Sequence, residues 1–270
     1  MRSEKRRQLT IALGVYLIFT LLIGVANLLN AVGERNGTLE TWEPIAGLLM
    51  GFVAFPIFCI GLPLWLARRW RLPFSFWPRR KSWLLGVAVS LLYLVLTQEQ
   101  SLSRLGSLGV APFEFLVHFV STTLFHVSYY PLFVVLLMPV LRKNFGLAFG
   151  LIGTAALFAL YHLVSFYYFP AGLTPRLQVL LFVSFLANLL LYLWTENLLL
   201  AALIHTVGGS VGLAVNGTLF NQVDELRMIT AVIMAGLFAY MSVYEVRHKA
   251  RPYHAGWWMA AEIESGVPEA

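Results

Sequence analysis

The chain has little that could carry charge or a covalent cross-link. Only 12% of its 270 residues are Asp, Glu, Lys or Arg, about half the share usual in soluble domains. A single cysteine, Cys59, excludes an intramolecular disulfide and reads as a small core residue. Carboxylates are the scarcer charge, with 13 Asp and Glu against 19 Lys and Arg and a net charge of +6. Strand-like alternation is absent, and no inverted internal repeat of the transporter kind is visible. A soluble globular domain and a disulfide-stapled one are both excluded.

What the chain has instead is apolar length. Hydrophobic residues make up 59% of it and mean hydropathy is +0.75. About 20 apolar residues cross the hydrocarbon of a bilayer as a helix, while open sheet edges are not viable there. Eight runs qualify, at about 9–32, 45–67, 82–98, 112–141, 147–169, 176–194, 197–215 and 227–245. The sequence therefore predicts an all-α polytopic membrane protein. The first run follows Arg2, Lys5, Arg6 and Arg7 but is too long for a signal peptide, so it is read as a span.

Lys and Arg orient the bundle. With the N-terminus inside, the inner segments collect Arg2 to Arg7, Arg68 to Lys81, Arg142, Lys143, Arg247, Lys249 and Arg251. Only Arg35, Arg104, Arg176 and Arg227 fall outside, which predicts a multi-pass protein of the cell membrane with both termini cytoplasmic. The positive charge then reflects topology and attraction to anionic headgroups, not a nucleic-acid partner. The loop from Arg68 to Lys81 interleaves its cations with aromatics, the composition of a membrane interface. Residues 1–110 are expected to form three N-terminal spans with this basic loop, 111–245 a helical core, and 246–270 a polar cytoplasmic tail. Gly47 and Gly51, Gly146 and Gly150, and Gly208 and Gly212 repeat at four-residue spacing, which predicts close helix approaches at those faces.

Two histidines sit inside apolar helices, His162 ending Phe158-Ala-Leu-Tyr-His162 and His205 ending the run from Trp194. An imidazole in hydrocarbon must find a polar partner, so each marks a candidate site. At 1.5 Å per residue from the inner face, His205 lies roughly 12 Å deep, His162 about 20 Å, and Tyr129 and Tyr130 about 17–18 Å. Three helices thus present polar groups in one layer. The plain reading is a hydrogen-bonded core of these residues with Ser128 and Asn188. A sharper one adds His126, one turn from the tyrosines, to make a three-histidine site for a divalent metal from His126, His162 and His205. Glu114 and His118, four apart, are expected to pair with each other near the outer surface.

The order of these motifs resembles the CPBP membrane proteins, which include CAAX prenyl endopeptidases and bacteriocin-processing and immunity proteins. Members carry Glu-Glu-x-x-x-Arg, then Phe-x-x-x-His, then His-x-x-x-Asn. Phe158 and His162 match the second motif and His205 opens the third, while Arg142 to Gly146 resembles the basic turn between the first two. The resemblance implies a CAAX-protease-like bundle acting on a membrane protein or lipidated peptide, with His162 and His205 polarising the scissile carbonyl. Counting back from the basic turn, however, puts Tyr129 and Tyr130 at the glutamates and Val134 at the arginine, and Gly209 takes the Asn position. A phenol with a reference pKa near ~10 is a poor general base at neutral pH. A register shifted by eight residues offers Ser121, Thr122 and His126, again without a carboxylate. The expectation is a family fold with a degenerate catalytic site. The alternatives are a transporter or channel whose histidines line an ion path, or a structural subunit that uses them as core glue.

Overall fold

The computed structural model describes residues 2–72, 74, 84, 87, 88, 91, 92, 120, 127–166, 174–195, 197–202, 204, 205 and 225–248. Nearly all of these are helical, with no strand among them. Four helical stretches are long and apolar enough to cross a bilayer: Ser3–Asn36, Leu39–Arg69, Leu147–Val164 and Pro175–Thr195. The protein is an integral membrane protein built of helices. The expected span at 82–98 is described only at 84, 87, 88, 91 and 92, the first part of the one at 112–141 only at 120, and the polar tail only to 248; Glu114, His118 and His126 lie outside the described residues.

Helix α1 (Arg2–Asn36) ends in a tight corner where Gly37 takes φ 67°. Thr38 N–H donates to Gly33 O at 2.8 Å and Gly37 N–H to Glu34 O at 3.3 Å, the paired bonds of a Schellman end with glycine in the left-handed position. The chain returns through α2 (Leu39–Leu48), a widened π-type stretch (Leu49–Gly61) and α3 (Leu62–Arg69). Pro56 stands inside the widened stretch. A proline has no N–H to give and its ring crowds the carbonyl four residues back, and a wider turn relieves both. Gly61 leaves room for the Pro56 carbonyl, which would lie 2.9 Å from a Cβ there.

The next described helix is central. It runs through a second π-type stretch (Pro131–Leu137) into α4 (Met138–Phe145), and every residue from Ser128 to Leu141 is buried. A helix apolar on all sides must be enclosed. Here α1, the Leu49–Arg69 segment and α5 (Leu147–Phe166) enclose it. Gly146, at φ 90°, turns α4 into α5, and Gly150 then sits so close to Arg142 that a Cβ would lie 2.8 Å from that residue's own Cβ. Helix α6 (Pro175–Thr195) packs on α5, and α7 (Glu225–His248) on α6.

The glycine expectation holds only in part. Gly150 marks a close approach, but Gly47 and Gly51 are exposed with nothing within 4 Å of a Cβ. Gly208 and Gly212 lie outside the described residues. The tight helix crossing falls instead at Gly24 of α1, where a Cβ would meet Val164 Cγ1 at 2.8 Å. A stripe of small residues permits contact without saying which helix, if any, faces it.

Candidate functional site

The central helix brings its tyrosine pair to two different neighbours. Tyr129 and Tyr130 point apart because consecutive helical residues do not share a face. Tyr129 Oη lies 3.0 Å from Tyr161 Oη on α5. Tyr130 O–H donates to the Ala201 carbonyl at 2.8 Å, and its oxygen lies 3.4 Å from His205 Nδ1. Both rings are about as buried as a side chain can be, at 2% and 1% exposure.

The helix that carries His205 is positioned by its own start. Asn197 Oδ1 accepts from Leu200 N–H at 3.0 Å, which satisfies one of the N–H groups left open at a helix N-terminus. Thr195 Oγ donates back to Leu191 O at 2.8 Å and accepts from Asn197 N–H at 3.3 Å. Thr195 therefore closes α6, and Asn197 caps the helical segment that begins at Leu198 and carries His205. Asn197, with the side-chain type and apolar run of a helix start, was legible as a cap.

His162 is held within α5. Its Nδ1 lies 2.8 Å from the Phe158 carbonyl, and since a carbonyl only accepts, Nδ1 carries the hydrogen. The Tyr130 O–H is directed at Ala201, and its 3.4 Å separation from His205 Nδ1 is longer than an ordinary hydrogen bond, so it does not fix that ring's tautomer. In the neutral form of His162, Nε2 is then the acceptor nitrogen. Such a ring cannot donate from Nε2 to a developing oxyanion. It could serve as a base or a metal ligand, and a ligating histidine commonly donates its other N–H to a carbonyl.

Phe158 joins the two imidazoles. Its ring lies 4.3 Å from His162 and 5.4 Å from His205, centroid to centroid, and stacks on Phe185 of α6 at 3.8 Å with 7° between planes. Phe133 meets Phe158 edge-on at 5.2 Å, and Tyr129, Tyr161, Phe55 and Phe19 extend the cluster toward α1. These are the separations at which aromatic rings attract one another. The layer predicted from depth does exist, but rings fill it. Phe185 and Tyr161 were missed because an aromatic residue in a membrane helix carries no signal of which way it faces.

Asn188 is buried, and its amide donates to Ser184 O at 3.0 Å in its own helix, not to the histidines. The acidic residues whose side chains are described are Glu4, Glu34, Glu40 and Glu43, all on α1 and α2. Among the described residues no three metal-ligating side chains cluster. His126, the third member of the expected metal set, lies outside them.

A family model described as Rce1-like, type II CAAX prenyl endopeptidase Rce1-like, matches residues 131–210. That stretch holds Phe158, His162 and His205 and begins directly after Tyr130. Within it, the resemblance read from those motifs is borne out. No curated protein and no solved structure matches the chain.

Proposed function

We propose that this is a multi-pass protein of the cell membrane, with both termini cytoplasmic, that keeps the scaffold of the CAAX endopeptidase family without its peptide-bond hydrolysis. Its interior serves to bind a membrane client, either a membrane protein or a lipidated peptide. One observation carries the reading. The hydroxyl at the position of a family glutamate is spent on the Ala201 carbonyl, inside a layer of packed rings. Hydrolysis needs a base beside the attacked carbonyl and a donor for the oxyanion. At the family glutamate's position Tyr130 offers no base and Val134 replaces the arginine, so the two imidazoles alone would have to supply both the base and the oxyanion donor.

The full chain, purified in detergent, tests this with a farnesylated peptide ending in a CAAX sequence. Mass spectrometry is expected to find no more shortened peptide than a His162→Ala, His205→Ala variant releases, while the intact peptide binds saturably. Turnover that either single substitution abolishes, with the unfolding transition unchanged, overturns the proposal. Loss of such turnover on adding a chelator would further identify the metal-dependent form. A transporter reading has no specific observation in its favour.

A further inference from the structure

Helix α3 ends with the same backbone device as α1, but with the wrong residue for it. Leu72 N–H donates to Ala67 O at 2.8 Å and Arg71 N–H to Arg68 O at 3.2 Å, the Schellman pair again. Leu72 is buried beside Leu66 and Ala67, supplying the apolar contact that accompanies this end. The left-handed residue in α1's motif is Gly37, at φ 67°; in α3's it is Arg71, at φ 53°. Among the described residues Arg71 is the one non-glycine residue with positive φ. A side chain there crowds its own backbone, which glycine avoids. Strain of this kind, kept where glycine would remove it, points to a use for the side chain.

The surroundings indicate what that use is. Arg68, Arg69 and Arg71 are all exposed. Trp65 is 58% exposed and lies three and four residues before the first two, so it shares their face of α3. Tryptophan settles at headgroup level, and one further turn carries the guanidiniums about 5 Å outward, toward the phosphates. No carboxylate among the described residues is within ion-pairing reach of these three. Lys143, near the end of α4, donates from its ammonium to Gln8 Oε1 at 3.1 Å, which gathers it with Lys5, Arg6 and Arg7 of α1 into a second basic group.

We propose that Arg68, Arg69 and Arg71 form a binding site for the headgroup of an anionic phospholipid of the inner leaflet, with Trp65 seated among its neighbours. This does not rest on the reading of the histidine site. Planar guanidiniums suit phosphate because they donate in pairs, and a fixed corner holds three of them without the entropy cost of ordering a loop.

The glycine comparison supplies the decisive variant. Arg71→Gly removes one cation while placing at that corner the residue its backbone favours, so folding is preserved or improved. The full chain in detergent is titrated with phosphatidylglycerol and, separately, phosphatidylcholine, and bound lipid is read by native mass spectrometry. Wild type is expected to prefer phosphatidylglycerol. A cation near a membrane surface contributes about a fivefold change in affinity, so Arg71→Gly should lose roughly that factor and Arg68→Gln, Arg69→Gln, Arg71→Gly together on the order of 100-fold. Phosphatidylcholine binding should not change. An unaltered phosphatidylglycerol preference in the triple variant overturns the proposal, as does a wild type with no preference. So does an Arg71→Gly variant that unfolds more readily than wild type, because the strain argument then fails.

Discussion

Removing a single hydroxyl from the centre of the bundle separates packing from polar bonding as the force that holds the site. Tyr130→Phe deletes the 2.8 Å bond to Ala201 and the 3.4 Å contact with His205, and leaves the ring against Phe185 at 5.9 Å. Ala201 is helical, and its carbonyl has a second lone pair for the helix ladder, so the deletion does not strip it bare. Side-chain hydrogen bonds inside membrane proteins average about 0.6 kcal/mol, with a ceiling near ~1.7. The longer contact exceeds ordinary N–H···O distances and adds little. The expected loss is therefore about 1 kcal/mol. Tyr130→Ala also empties the ring's place in a fully buried layer, which costs about 3–5 kcal/mol. Denaturant titration of the purified chain in mixed micelles, followed by circular dichroism, measures both. A phenylalanine variant as unstable as the alanine variant would refute the reasoning, because the hydroxyl network would then outweigh the rings.

Two further perturbations test how the site is positioned. Asn197→Ala removes the cap on the helix that carries His205 and should cost about 1 kcal/mol, with faster amide hydrogen exchange over 198–205 and recovery in Asn197→Asp; unchanged exchange would mean the cap does not hold that helix. Gly24→Ala sets a helix-propensity gain of about 1 kcal/mol against a Cβ 2.8 Å from Val164 Cγ1, an overpacking that costs about 1–3 kcal/mol. The variant should be less stable than wild type, and Val164→Ala should relieve it; a double variant that merely adds the two losses would mean that α1 and α5 do not meet there.

The sequence carried the helices, and depth along them carried the layer. His162 and His205 do flank one residue, Phe158, which the Phe-x-x-x-His spacing had already singled out. What depth could not give was azimuth. Gly47 and Gly24 look alike in the sequence, yet one faces open space and the other Val164. In a bilayer the outside of a helix is as apolar as its core, so the pattern that sorts buried from exposed faces in water is missing. Helix widening was hidden for a related reason. Pro56 and Pro131 warn of a disturbed turn but not of thirteen- and seven-residue π-type stretches, because neighbouring helices decide how the freed carbonyls are accommodated. Arg71 was read only as one charge in a basic loop, since a left-handed backbone at a residue other than glycine leaves no mark in composition.

On the register that sets Tyr130 against a family glutamate, the proposed replacements at the first motif act as a group. A glutamate in this layer would be a buried charge needing a partner, and the family pattern provides an arginine four residues on. Here that position is Val134, 1% exposed in the middle of the central helix. Keeping either charge alone would leave it unpaired, a loss of about 3–5 kcal/mol, whereas a phenol with a carbonyl to bond and a valine among rings leaves nothing unmet. Tyr130→Glu is therefore expected to destabilise the chain by at least ~3 kcal/mol, and Val134→Arg alone to do likewise. The two together should recover part of the loss, measured as the coupling in a double-mutant cycle of unfolding free energies. Two losses that simply add would mean the residues do not face a common space, and the register that sets Tyr130 against the family glutamate would fall. A glutamate at 130 tolerated without loss would mean that water reaches the layer, and a site that admits water has kept one of the reactants of hydrolysis.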